Sequence, residues 1–383
     1  MYKKILNISF ITAFMLMLII PLALTNWKGG GVSETENRTL ASFPSIKTDE
    51  GDINTAFTTD MEKWLGDNIG FREKMVYANA RISYNIFGRL ESKSYMLGPG
   101  GELNFVDDRV MANFQHTNLL DENTLKVVTD SFQTVNDYLE SRGIQFYYIQ
   151  MWDKQSIYPE SFPASIYSIG DISLTDQVVA ALRENTSVKV ISTKELMLEG
   201  KQSFRTYNKC ADVTHWSQQG AFMGYRLIMD TINENNNGRF KVLTEDDYDI
   251  TMTDQGNTIL GGIHFEEYAQ DYKLKEPHAY QTPEKFTLYK DADYRQTYWT
   301  NDDSDNDIKV LICGDSYIYS FFIDDMAESF KETIELWAWT SGDIINVINE
   351  YKPDILIYEK AEREPAFACD MVLAAEKIKE EKK

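Results

Sequence analysis

The segment Ile144-Gln145-Phe146-Tyr147-Tyr148-Ile149-Gln150-Met151 is rich in β-forming residues and apolar on both faces. A strand of that kind belongs inside a sheet covered on both sides, as parallel sheets are. Its neighbours repeat the theme. A helix is predicted over 121–142, closed by Gly143, and another over about 173–184 leads to a strand at Val188-Lys189-Val190-Ile191. After a long break the rhythm returns with a strand at 309–313, a helix over 321–331, a strand at 333–337, a helix at 342–350 and the strand Asp354-Ile355-Leu356-Ile357-Tyr358. This alternation predicts an α/β domain with a parallel sheet and helices on both faces. No internal repeat interrupts it.

The length accommodates one sizeable α/β domain plus appendages. A net charge of -22 argues against a nucleic-acid partner, because no basic surface would be left to neutralise phosphates. The acid is spread along the chain and reads as a solvated surface. Cys210, Cys313 and Cys369 have no metal-like spacing, so neither a structural zinc nor a disulfide framework is expected, and no other metal or cofactor is implied. Cys313 reads as a small apolar residue of its strand.

The N-terminus carries a second constraint. Lys3 and Lys4 precede an apolar run from Ile5 to Leu24, interrupted by Asn7, Ser9, Thr12 and Pro21. It approaches the ~20 residues that cross a bilayer, and no small-x-small cleavage site follows. The lysines favour a cytoplasmic N-terminus, so residues 1–27 are read as an uncleaved anchor of a single-pass cell-membrane protein, with a cleaved signal as the alternative, and the rest as extracytoplasmic in either case. Residues 28–95 are read as a juxtamembrane linker and amphipathic helices, in which Asp67-Asn68-Ile69-Gly70 breaks a helical pattern over 54–88 in two. These helices either pack on the main domain or offer a partner-binding face. Residues 96–383 form the α/β domain, opening on a short hairpin over 96–105. Within it, 235–307 is acidic, polar and aromatic without a clear period; it is read as an insertion, of surface loops or bordering the site.

Two motifs carry chemistry. Val310-Leu311-Ile312-Cys313-Gly314-Asp315-Ser316 runs an apolar strand into a Gly-Asp-Ser turn, and Asp212-Val213-Thr214-His215 opens a helix. A Ser hydroxyl is a poor nucleophile until a base takes its proton, and an Asp and a His three apart can supply an oriented base. The C-terminal end of a parallel strand is where open α/β sheets place their sites. Each residue also has a plainer reading: Ser316 and His215 as helix caps, Asp212 as an N-cap, Trp216 as core. His116, His264 and His278 have neither triad nor metal spacing.

The arrangement resembles the SGNH hydrolase superfamily, flavodoxin-like parallel sheets carrying Gly-Asp-Ser after the first strand and Asp-x-x-His after the last. Here the order is reversed, which implies a circularly permuted sheet. That order is similar to the alginate O-acetyltransferase (AlgJ/AlgX-like) and DHHW group. Other stretches resemble its signatures: Glu36-Asn37-Arg38-Thr39-Leu40, the Trp64…Asp67…Arg72 segment, Lys154 with Tyr158-Pro159, and Glu362-Arg363. Two positions depart from the pattern. Val213 stands where the group usually has Asp, and Ala361-Glu362-Arg363 replaces the superfamily's third-strand Asn.

The resemblance implies a cell-surface polysaccharide O-acetyltransferase with Ser316 as nucleophile, His215 as base and Asp212 as orienter. Gly342 would serve the oxyanion, with Arg363 either joining it or pairing with an acid as structural glue. Lys154, Tyr158, Trp216 and Tyr317 are weaker candidates for substrate contact. A membrane-bound O-acyltransferase is the implied partner. An acetylesterase with the same triad and a non-catalytic glycan-binding or scaffold subunit are the alternatives.

Overall fold

In a computed structural model the structure describes residues 2–33, 38–48, 51–259, 261–283, 296–336, 343–364 and 367–381. The chain divides into two compact units, Met1–Ser92 with Thr258–His264, and Lys93–Asn257 with Phe265–Lys383.

Among the described residues the first unit holds three helices. α1 (Tyr2–Ala23) is long and apolar enough, over Lys3–Ala23, to cross a membrane, and none of that stretch is buried against protein. At 1.5 Å per residue such a helix is ~30 Å long, the thickness of a hydrocarbon core. α2 (Phe57–Asn68) and α3 (Arg72–Phe87) flank the break at Ile69-Gly70-Phe71. The break is tied to the end of α1, since Gly70 N–H donates to Pro21 O at 3.0 Å and Asn26 N–H to Asn68 O at 2.9 Å. Arg38 reaches both oxygens of Asp67, at 2.9 and 2.6 Å. Its guanidinium holds the carboxyl at about 2. Two segments singled out in the sequence thus meet in one ion pair; Glu36 and Asn37 lie outside the described residues.

The second unit opens on the hairpin β1 (Tyr95–Leu97) and β2 (Leu103–Phe105), followed by α4 (Asp108–Gln115) and α5 (Glu122–Glu140). Asp121 caps α5 by accepting from Thr124 N–H at 2.9 Å, and Gly143, at φ +75°, turns the chain into β3 (Gln145–Met151). Then come α6 (Lys154–Ile157), α7 (Leu174–Asn185), β4 (Lys189–Ser192), α8 (Lys194–Gly200) and α9 (Gln218–Glu234).

Residues 235–307, read as an insertion without a clear period, contain strands. β5 (Tyr248–Asp254) and β6 (Tyr268–Leu274) form an antiparallel ribbon. β7 (Tyr280–Gln281) and β8 (Gln296–Thr300) extend the main sheet. Next are β9 (Lys309–Cys313), α10 (Ser316–Tyr319), α11 (Ile323–Ala327), β10 (Glu332–Leu336), α12 (Asp343–Tyr351), β11 (Ile355–Ala361) and α13 (Phe367–Glu381). The helix expected over 321–331 is the shorter α11, preceded by α10, and α4, α6, α8 and α13 have no counterpart among the sequence expectations.

The sheet order is β7-β8-β10-β9-β11-β3-β4. From β10 to β4 every neighbouring pair is parallel, while β8 runs antiparallel to β10. Alternate residues face opposite layers. Tyr147, Ile149, Val310, Ile312, Ile355 and Ile357 pack with α9, and Phe146, Tyr148, Leu311, Leu356 and Tyr358 pack with α5, α7, α12 and α13. Each fully buried aliphatic side chain stabilises the fold by ~1.5–3 kcal/mol. With both faces covered, the exits of β9, β11 and β3 converge at one edge.

Candidate active site

The turn after β9 is fastened to both neighbouring strands, β10 and β11. Gly314 N–H donates to Leu336 O at 3.0 Å, and Asp315 N–H donates to Glu359 Oε2 at 2.8 Å. Asp315 in turn accepts from Ala361 N–H at 2.8 Å and caps α10 through Tyr317 N–H at 3.0 Å. A Cβ on Gly314 would sit 3.0 Å from Glu359 Oε2, so a larger residue would crowd that carboxylate. Burial, and next the Asp315 charge, push the Glu359 carboxyl well above its ordinary range. The result is a half-buried Ser316 at the head of α10, whose N–H has no acceptor among the described residues.

Facing it is the loop before α9. His215 Nε2 lies 2.6 Å from Ser316 Oγ, and Nδ1 lies 2.8 Å from Asp212 Oδ2. The other Asp212 oxygen accepts from Thr214 N–H (2.9 Å), Thr214 Oγ1 (2.8 Å) and His215 N–H (3.2 Å). Burial alone would raise the Asp212 carboxyl; the bonds from His215 and Thr214 outweigh it and hold the group at about 2. Asp212 is therefore an anion at neutral pH, positioned to keep a proton on Nδ1 and leave Nε2 free to accept one. Behind the imidazole stand Tyr317 and Phe321, with ring centroids 5.0 and 5.4 Å away.

Arg363 pairs with an acid, Asp153 rather than Glu362. Its Nη1 donates to Asp153 Oδ1 and, at 3.0 Å, to Thr214 O. Asp153 raises the Arg363 pKa against the opposing effect of burial, and burial raises the Asp153 carboxyl against the pull of Arg363. Glu362 accepts instead from Asp153 N–H (3.0 Å) and Ser156 Oγ (2.7 Å). The exits of β3 and β11 thereby hold the loop carrying His215. Asp153, Glu359 and Thr214 were given no role in the sequence; Asp153 and Glu359 each follow an apolar run, and Thr214 lies within the Asp212–His215 motif. Gly342 lies outside the described residues.

Four weaker candidates are corrected by burial. Lys154 is wholly buried, donating to Leu103 O and Lys209 O at 2.8 Å each and pairing with Glu102 at 2.9 Å. Tyr158 is buried and accepts from Thr206 N–H at 3.0 Å. Trp216 is buried against Tyr317 and Phe322. The Tyr317 hydroxyl, also buried, lies 2.9 Å from Trp152 O and 3.0 Å from Thr214 O and donates to one at a time. None presents a group to a polysaccharide. Among the described residues no group of three His, Cys, Asp or Glu side chains is placed to hold a metal ion. Cys210 and Cys313 are buried thiols.

The profile described as "SGNH hydrolase-like domain, acetyltransferase AlgX" matches residues 112–342. Among solved structures, Bacillus cereus PatB1 is similar with a TM-score of 0.53 at 17% identity, over 73% of this chain and 98% of that one. The O-acetyltransferase domain of Pseudomonas putida AlgJ aligns over 73% of this chain and 98% of that one, with 13% identity and a TM-score of 0.43. A DHHW family protein from Eubacterium siraeum aligns over 76% and 96%, with 13% identity and a TM-score of 0.43. No curated protein matches significantly. The profile covers more than half of the chain, which therefore belongs to the SGNH hydrolase-like domain family of the acetyltransferase AlgX.

Proposed function

We propose that this protein is a membrane-anchored, extracytoplasmic polysaccharide O-acetyltransferase working through an acetyl-Ser316 intermediate. The observation that carries the reading is the hydrogen-bonded chain Ser316–His215–Asp212, at 2.6 and 2.8 Å, on the C-terminal edge of a parallel sheet. Membership of an acetyltransferase family supports the acyl group. Lys3 and Lys4 before α1 support a cytoplasmic N-terminus and an outward-facing domain. The sheet order, with Ser316 following β9 and His215 following the earlier β4, supports a circularly permuted SGNH sheet.

In the first step Ser316 Oγ attacks the acetyl carbonyl of a donor ester as His215 Nε2 takes the Ser316 proton. The Ser316 N–H is available to the oxyanion, and Gly342 is the candidate second donor. The tetrahedral intermediate expels the donor alkoxide, which leaves with the proton from His215. A sugar hydroxyl then gives its proton to His215 and attacks the acetyl-serine; as that second tetrahedral intermediate collapses, the acetyl group stays on the sugar and Ser316 Oγ leaves with the proton from His215. Asp212 stabilises the imidazolium in both halves. A membrane-bound O-acyltransferase is the proposed source of acetyl groups.

The test uses the full chain in detergent micelles, wild type beside Ser316→Ala, with p-nitrophenyl acetate and oligosaccharides. Ser316-dependent nitrophenol release with acetylated oligosaccharide, read by mass, is the expected result. Ser316-dependent release of free acetate alone would make the protein an esterase, and inertness of both proteins would end the catalytic reading.

A further inference from the structure

The ribbon β5–β6 reaches further than its packing requires. In its register Gln270 faces Met252 and Tyr272 faces Ile250. Paired residues share a face, so Ile250, Met252, Tyr268, Gln270 and Tyr272 lie along one side. The inner end of that side is core: the Tyr272 ring stacks on Phe222 of α9 with centroids 5.4 Å apart. The outer end is open, with Met252 62% and Tyr268 67% exposed. Beneath it lies a cleft of about 320 Å³, whose other walls include Asn208, Ser217, Gln219 and Gln270.

Two charged residues line this cleft, and both are engaged. Arg205 pairs with Glu102 at 2.9 and 3.0 Å. Glu267 accepts the N–H groups of Lys209, Cys210 and Ala211 at 2.6, 2.7 and 2.7 Å. What the cleft offers a ligand is therefore amides under an aromatic ring and a thioether. The amide oxygen of Asn208, a buried residue, has no donor among the described residues. That lining matches a sugar ring, with apolar C–H faces and a rim of hydroxyls. It does not match a polyuronate, which would need an unengaged cation and would meet a net charge of -22.

The wall of the cleft is also the scaffold of His215. Tyr207 bridges to Trp216, Asn208 Nδ2 donates to Trp216 O at 3.4 Å, and Ser217 N–H donates to Thr206 O at 2.9 Å. Ser217 follows His215 by two residues, at most ~7 Å of backbone. We infer that this cleft is an acceptor subsite for a neutral saccharide unit, with Tyr268 against one ring face and Asn208, Gln219 and Gln270 on the hydroxyls. The inference rests on the acetyl-transfer reading and names the substrate class of that site.

Binding to the full-length Ser316→Ala protein in micelles tests it without turnover, using cellotetraose, chitotetraose and tetragalacturonate as calorimetric probes. At least one neutral tetrasaccharide should bind, at least tenfold more tightly than tetragalacturonate. Tyr268→Ala should weaken that binding by fivefold or more, and Gln219→Ala by a smaller factor, with unchanged circular dichroism in both. Preference for the uronate, absence of neutral binding, or binding indifferent to both substitutions would overturn the subsite. Failure of the acetyl-transfer reading shows separately, as loss of the difference between wild type and Ser316→Ala in nitrophenol release.

Discussion

The two oxygens of Asp212 face different partners, and this makes two substitutions there diverge. Oδ1 receives three donors, from Thr214 N–H, Thr214 Oγ1 and His215 N–H, while Oδ2 faces His215 Nδ1. In Asp212→Asn the amide oxygen is drawn to the site of the three donors, and the NH2 group then points at Nδ1. The ring must accept there and carry its proton on Nε2, where it can no longer take one from Ser316. In Asp212→Ala the Thr214 hydroxyl, 2.8 Å from Nδ1, can still accept and keep the productive tautomer. Only the charge is lost. Two unit charges ~4 Å apart at an effective dielectric of 20 attract by about 4 kcal/mol. Asp212 is 36% exposed, and halving that figure for solvent leaves ~2 kcal/mol, or ~30-fold in rate. Asp212→Ala should therefore lower kcat/KM for p-nitrophenyl acetate by about 30-fold, and Asp212→Asn by about 10³–10⁴-fold, the scale of a wrong-tautomer defect in other serine triads. The assay is nitrophenol release against His215→Ala as baseline. An Asp212→Asn protein as active as Asp212→Ala would refute the reasoning.

Arg363→Met leaves Asp153 buried without its cation, which should cost about 3–5 kcal/mol in urea unfolding; Arg363→Lys should recover part of it. Gly224→Ala would place a Cβ 2.4 Å from the Trp216 ring, so a loss of about 1–3 kcal/mol and a lower Tm are expected by calorimetry. Burial, then the neighbouring Asp324, raises Asp325 from 3.8 to about 7. Its neutral form is favoured by folding, so its contribution is complete below pH 4, falls as pH rises and is gone above pH 7. Asp325→Asn should accordingly stabilise the protein at pH 8, by about 4 kcal/mol at most, and leave it unchanged at pH 4, as read from unfolding midpoints.

The sheet was legible because its strands are apolar on both faces, as in 145–151 and 309–313, and the pair of motifs was legible because Ser316 and His215 each sit where chain direction changes. The ribbon β5–β6 was not. Its residues are largely half-buried or exposed, so Tyr248-Asp249-Ile250-Thr251-Met252-Thr253-Asp254 shows only a weak period of two. Lys154 misled because a lysine reads as solvated, and only the fold brings Glu102 and two carbonyls around its ammonium. Arg363 was ambiguous for the same reason: nothing in the chain shows that the loop after β3 delivers Asp153 to it.

One seam in the sheet bears on how the chain is made. β3 emerges early, but its partner β11, paired with it over seven residues, follows ~200 residues later, or about 10–40 s at ordinary rates of synthesis. For that interval the growing chain carries an unpaired strand edge that is apolar above and below, the kind of edge that recruits other chains. Two fragments divided within the 235–307 region should, when co-produced, find each other along that edge and restore the juxtaposition of His215 with Ser316.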